Sequence, residues 1–271
     1  MKNILSIDVE DITHSVFRRG IVSYHIPSVI DRALRELSAY GATATFFTVG
    51  EVAERFPEVI DMITDQGSEV AFHGYYHIPL WRMNEHELAK EIRAFKKMLP
   101  ERLIGFRAPA FSLDNNTKWA LKVLSSEGIK YDSSIVPAMT PLYGVPGAPL
   151  TYYTPSEGDV RSVGKSGIYE FPLLTCGLGR IRFPCHGGFF MRILPVHLIE
   201  KAIRAQSERG PAVIFIHTWE LDGNVAKIPM DVYNTFITYF NLRSGARRLR
   251  YLLSKFKFVS FRDFMEGQGL L

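Results

Sequence analysis

At 271 residues, with 46% hydrophobic and 22% charged residues, the chain has the composition of a globular protein with a large core and the length of one α/β barrel. A net charge of +4 is too mild a bias to point to nucleic acid, and only Cys176 and Cys185 are present, which excludes a disulfide framework and fits a reducing compartment. With no repeat, low-complexity stretch or long linker, a single domain over residues 1–271 is expected.

The first apolar run, 3–9 (NILSIDV), reads as a strand. Asp8 interrupts it too early for a signal-peptide core, and no later run reaches membrane-span length, so a cytoplasmic protein is expected. Further strands are expected at 43–49, 68–73, 103–107, 129–132, 168–174 and 212–218. Helix-period residues fill 27–39, 51–66, 84–99, 114–127 and 195–209. Pro27-Ser28, Asn84 with Glu87 and Asp114 with Thr117 are helix starts; Gly41, Gly67, Gly128 and Gly210 stand where helices stop. This alternation is that of βα units around a largely parallel sheet, an α/β fold. The segment 137–165 is rich in Pro, Gly, Tyr and Ser and reads as a loop over the barrel mouth. Near the end, Arg243, Arg247, Arg248, Arg250, Lys255 and Lys257 interleave with leucines at helical spacing. This basic amphipathic segment, 243–257, is either a barrel helix with a solvated face or a contact with an anionic membrane surface.

The polar residues that look out of place fall at the C-terminal ends of expected strands, the face on which α/β barrels build active sites. Asp8, Glu10 and Asp11 end the first; His73 and His77 the third; Arg107, Asp132 and His217 end later ones. Two histidines in H-x-x-x-H with a carboxylate are a recurrent catalytic metal set. Asp8 and Glu10 alternate and so leave one face of the strand, one as ligand and one as base. Arg107 needs a carboxylate partner, for which Asp8 is the expected one. His217, in VIFIH, is either a core histidine or a general acid, with Glu220 or Asp132 to orient its second nitrogen.

In order along nearly the whole chain, SIDVED, TATFFTVG, EVAFHGYYH, GFRAPAFS, YDSSIVP and VIFIHTWEL resemble the polysaccharide deacetylases of carbohydrate esterase family 4. Asp8-Val9-Glu10-Asp11, the run Gly187 to Arg192 (GGFFMR), His217-Thr218-Trp219-Glu220 and the closing FNLRSGARRLRYLL are similar to the exosortase-associated branch found at exopolysaccharide loci. The resemblance implies a distorted (β/α) barrel of about seven parallel strands and a divalent metal, zinc above others, on His73, His77 and a carboxylate. It implies Asp8 as base, Arg107 as its electrostatic partner and His217 as general acid, with Asp132 in a loosely matching fourth motif. The family's adjacent aspartates are replaced here by Asp8 and Val9, which puts the third ligand at Glu10, with Asp11 as competitor.

The implied reaction is removal of an N-acetyl group from an amino sugar in a saccharide, with a backbone N–H near Ala110 or Phe111 on the oxyanion. The saccharide is expected to be nucleotide-linked or lipid-linked. Trp81, Tyr143, Tyr152 and Tyr153, with Trp219, are the expected sugar-stacking residues. Two rivals remain at this stage: a metal-free cyclic-amide hydrolase of the same fold, and a catalytically silent glycan-binding protein.

Overall fold

Asn3–Val9 (β1) is buried at every position, as a strand with neighbours on both edges and cover on both faces requires. A computed structural model, describing residues 2–18, 20–99, 102–178 and 181–271, shows it at the centre of a parallel sheet. One neighbour is Thr45–Thr48 (β2), with Asp8 opposite Phe47; another is Val213–His217 (designated β9), with Asp8 opposite His217. From β2 the sheet continues through Glu69–Phe72 (β3), Gly105–Phe106 (β4), Tyr131–Asp132 (β5) and Tyr169–Glu170 (β6), all parallel. The seven strands expected from the sequence are thus present and curl into a half-barrel. An eighth, Phe258–Val259 (β10), pairs with the start of β1. Between β6 and β9 the wall is bridged by single contacts, Leu174 N–H to Val213 O at 3.0 Å and Phe215 N–H to His186 O at 2.8 Å.

Several expected elements are shorter than the pattern suggested. The strands at 103–107, 129–132 and 168–174 shrink to two residues each. Beyond them side chains take up backbone groups: Ser133 O accepts from Arg107 Nε, Phe171 O from Ser133 Oγ, and Ile135 N–H donates to Glu170. The helix expected over 51–66 is two, Gly50–Arg55 and Glu58–Asp65. Pro57 has no N–H to give and disfavours helical geometry at Phe56, which sits at φ −132°. An unexpected antiparallel hairpin joins Thr175–Leu178 (β7) to Ile181–Pro184 (β8), with Cys176 and Cys185 as buried free thiols.

The other helices, Ile26–Ala39, Glu85–Lys96, Trp119–Ser126 and Val196–Ser207, pack apolar faces on the sheet. The basic segment forms Ser244–Lys255, with Leu249, Leu252 and Leu253 buried. Two of its arginines are already engaged: Arg248 donates to the Met191 and Leu194 carbonyls, and Arg250 pairs with Glu36 at 2.8 Å. Arg243 and Arg247 remain exposed. Among the described residues no helix is long and apolar enough to cross a membrane.

Candidate active site

Register on the sheet decides which strand ends meet. Because Asp8 lies opposite His217 and Phe72 opposite Phe106, the residues just beyond, His73 and Arg107, come side by side. His73 Nδ1 lies 2.8 Å from Arg107 O. A carbonyl only accepts, so Nδ1 carries the proton and Nε2 presents its lone pair inward. Arg107 is fully buried, its guanidinium 4.1 Å from the centre of the Phe47 ring. It donates to Asp8 Oδ1 at 2.6 Å, to Ser6 Oγ at 2.8 Å and to the Ser133 carbonyl and hydroxyl. Asp8 is therefore fixed through one oxygen, and its other, Oδ2, lies 3.9 Å from His73 Nε2.

Glu10 Oε2 lies 2.8 Å from His77 Nε2 and 4.0 Å from His73 Nε2. One ligand atom from each of these three buried residues falls within 4.8 Å of the others. Glu10 Oε2 is buried without a hydrogen bond of its own, whereas Oε1 accepts from Trp219 Nε1 at 2.9 Å. Such an orphaned carboxylate oxygen facing two imidazole nitrogens fits a divalent cation. Burial pushes the Glu10 carboxyl upward, but His77, His217 and His73 together pull it below the ordinary carboxylate range. Burial holds His73 down to about 4, in the neutral form that a ligand needs. His77 sits at φ 54°, a left-handed conformation uncommon outside glycine.

Asp11, the competing ligand, is occupied elsewhere. Its carboxylate caps the turn Ile12–Val16, accepting from Thr13 N–H, Thr13 Oγ1 and Ser23 N–H. Asp132 lies behind Arg107, not beside His217: it accepts from the Ser134 hydroxyl at 2.6 Å and is buried against Glu170. The second nitrogen of His217 belongs to Glu220, 2.7 Å away. Glu220 in turn accepts from Arg192 Nε at 2.5 Å, and Arg192 also donates to the Ile237 and Phe240 carbonyls. Burial works against charge on His217, while Glu10 and Glu220 raise its pKa to about 9. Its ring stacks on Trp219, centroids 4.6 Å apart, and its Nε2 is 3.6 Å from Glu10 Oε1.

These groups open into a cleft of about 480 Å³. Tyr143 and Trp219 line it; Trp81, 45% exposed, does not, and Tyr152 packs inward against Phe171 and Phe264. Tyr153 is likewise buried, its hydroxyl donating to Val160 O. Of the long loop only Thr140–Tyr143 reaches the cleft, since Tyr153 pairs with Glu170. The Phe111 N–H is already bonded to Ala108 O, and Ala110 precedes it at φ 54°. Among the lining residues that the sequence did not single out are Phe17, Leu142, Phe215, the Phe189 and Phe190 rings, and residues of a helix, Val232–Tyr239. The GGFFMR run carried the signal for two of them: Gly187 lies so close to β9 that a Cβ there would sit 2.1 Å from Phe215 O, and Phe189 follows at the cleft. His186, just before, is fully buried against the Phe215 ring and held neutral, its pKa pushed down to about 3 by burial and then by Arg107 and His217.

Residues 17–131 match the polysaccharide deacetylase family model, and residues 133–266 match a domain of unknown function, DUF3473. The boundary between them falls at β5, inside one continuous sheet. The chain is 35% identical over 101 residues to a peptidoglycan-N-acetylglucosamine deacetylase of Bacillus cereus, covering 35% of this chain and 34% of that protein. It is 34% identical over 111 residues to a peptidoglycan deacetylase of Helicobacter pylori, covering 40% and 37%. The chain thus spans about a third of the length of the curated relatives it matches. In fold it is similar to the crystal structure of a "putative polysaccharide deacetylase" from Mycobacterium smegmatis, with a TM-score of 0.61, 20% identity and coverage of 98% and 90%. A CE4 family pseudoenzyme from Bacillus anthracis has a TM-score of 0.50 at 12% identity, covering 97% of this chain and 65% of that one. The likeness in sequence to polysaccharide deacetylases therefore lies in the N-terminal part of the chain, where residues 17–131 match the family model.

Proposed function

We propose that the chain is a metal-dependent N-deacetylase, hydrolysing the acetamide of an amino sugar within a saccharide. The observation that carries this reading is the buried Glu10–His73–His77 cluster with Asp8 on one side and His217 on the other. The names of the curated relatives supply the substrate class, acetylated amino sugars. We read the DVED, GGFFMR and HTWE segments as those of an enzyme of exopolysaccharide biosynthesis.

Glu10 Oε2, His73 Nε2 and His77 Nε2 would hold the ion, and two histidines with one carboxylate favour zinc. A bound divalent ion supplies Lewis acidity to the acetamide carbonyl and acidifies a water molecule. Asp8 Oδ2, left free by the Arg107 contact on Oδ1, takes the proton as the water oxygen bonds to the carbonyl carbon. His217, charged and oriented through Nδ1 by Glu220, gives its Nε2 proton to the sugar nitrogen as the C–N bond breaks. Acetate and a free amine result. The likeness to a pseudoenzyme shows that the fold alone does not carry activity, so the reading rests on these side chains. A metal-free hydrolase or silent binder would have no use for a ligand cluster, a paired base and a charged acid together.

The test is metal content and acetate release for the wild type and a His73→Ala/His77→Ala double variant. About one zinc per chain in the wild type, lost together with turnover in the variant, is expected. Wild-type protein that stays empty in excess zinc or cobalt, or a variant that still releases acetate, overturns the reading.

A further inference from the structure

The walls of the cleft differ in chemistry from a site built for a hydrophilic glycan alone. They come from Thr140–Tyr143, Gly187–Phe190 and the helix Val232–Tyr239, and they present Leu142, Tyr143, Phe189, Phe190, Tyr233 and Phe236. Several polar side chains in and beside these walls are already engaged, which leaves chiefly the Tyr143 and Tyr233 hydroxyls for a ligand. Thr140 Oγ1 donates to Tyr143 O, Ser15 Oγ to Ile12 O and Asn234 Nδ2 to Asp231, and Arg192 serves Glu220 and two carbonyls. A sugar ring brings several hydroxyls that need partners when desolvated, and these walls offer few.

The helix adds a second, independent oddity. A surface helix normally turns its polar residues to water. In Val232–Tyr239 only Thr238 is buried, while Val232 is 89%, Tyr233 58% and Phe236 49% exposed. Met139 and Leu142, on the loop, are 77% and 54% exposed. Tyr233, Phe236 and Leu142 line the same cavity as His73, His77 and His217, so whatever covers them enters with the reacting acetamide.

We propose that the apolar walls hold an apolar chain carried by the substrate itself, making the substrate a lipid-linked saccharide. This rests on the deacetylase reading and refines it: the polar floor takes the N-acetyl sugar, and the groove between the loop and the Val232–Tyr239 helix takes the first carbons of its lipid.

The experiment measures calorimetric Kd and acetate release for zinc-loaded protein with N-acetylglucosamine glycosides carrying methyl, butyl or octyl aglycones, below micelle-forming concentration. Affinity is expected to rise about fourfold for each methylene buried, so that burying about half of the added methylenes makes octyl bind ~100-fold more tightly than methyl. A Tyr233→Ser/Phe236→Ser variant, altered only at exposed positions, should lose most of that gain. Ile181→Ser, at a site 80% exposed on β8 and outside the cleft, should keep it. A Kd indifferent to chain length, or a gain undiminished in the double variant, overturns the proposal. So does a dimer in sedimentation velocity that the double substitution dissociates, or vesicle binding that it abolishes, if chain length has no effect in either case. Chain-length-dependent binding with no acetate from any glycoside instead overturns the deacetylase reading and leaves the groove standing.

Discussion

On the floor of the cleft, Asp8, His73, Arg107 and His217 each stand at or just past the end of a parallel strand, and ladder register brings them together. On the walls, Leu142, Phe189 and Phe236 stand on a loop and two helices outside the sheet, held by contacts between segments far apart in sequence. The floor is buried, charged and densely hydrogen-bonded; the walls are apolar and partly open to water. A floor of this kind fixes one reaction and tolerates little change. Walls of this kind set what else the ligand can carry, and they can vary without disturbing the sheet.

Substitutions on the floor should break this contrast most visibly. If Asp8 is the base and not a ligand, as proposed, Asp8→Asn should lower kcat by about 10²–10⁴ while metal content is unchanged. Acetate release measured beside metal content checks it, and loss of metal would move Asp8 into the ligand set. Arg107→Met leaves a buried carboxylate unpaired and should cost about 3–5 kcal/mol in urea unfolding. Arg192→Met removes a charge-assisted bond worth about 1.5–3 kcal/mol, so kcat should fall about 10- to 100-fold through misplacement of His217, with KM for a methyl glycoside little changed.

A smaller effect is expected in pH dependence. Burial, and then Asp132, raise the Glu170 carboxyl well above its ordinary 4.5, so the folded protein keeps a proton that the unfolded chain releases. The stability this proton carries is fully present below about pH 4.5 and is lost as pH rises through the folded pKa. Glu170→Gln should flatten that slope, so that its stability relative to the wild type is higher at pH 8 than at pH 4; parallel slopes in urea titrations would contradict it. On the walls, Phe236→Ser should change unfolding stability by only about 0.5 kcal/mol, as befits a half-exposed position.

The same contrast explains what the sequence made legible. β1, β3 and β9 carry apolar runs with Asp8, His73 or His217 at or just past their ends, and both the strands and the chemistry there can be read locally. The family resemblance put the third ligand at Glu10 with Asp11 as competitor, and no local pattern says that the Asp11 carboxylate is spent capping a turn. Asp132 and Glu220 were equal candidates to orient His217, because nothing local says which lies within 3 Å; the short turn after β9 settles it in favour of Glu220. Tyr152 and Trp81 had the composition of sugar-stacking residues but not the position, since Tyr152 is drawn into the Phe171–Phe264 cluster. The Val232–Tyr239 helix escaped notice because its apolar residues follow no buried stripe, and a periodicity search looks for a face that packs.

Arg192 gives the walls and the floor a shared mechanical joint. It grips the carbonyls of Ile237 and Phe240, where the wall helix ends, with the same guanidinium that steadies Glu220 beneath His217. An engineer who wished to graft a different helix after Asp231, to admit another ligand, would thus also be handling the support of the proposed general acid. Grafts that keep the two carbonyls in register with Arg192 would retain turnover, and those that shift the helix by one residue would disengage it.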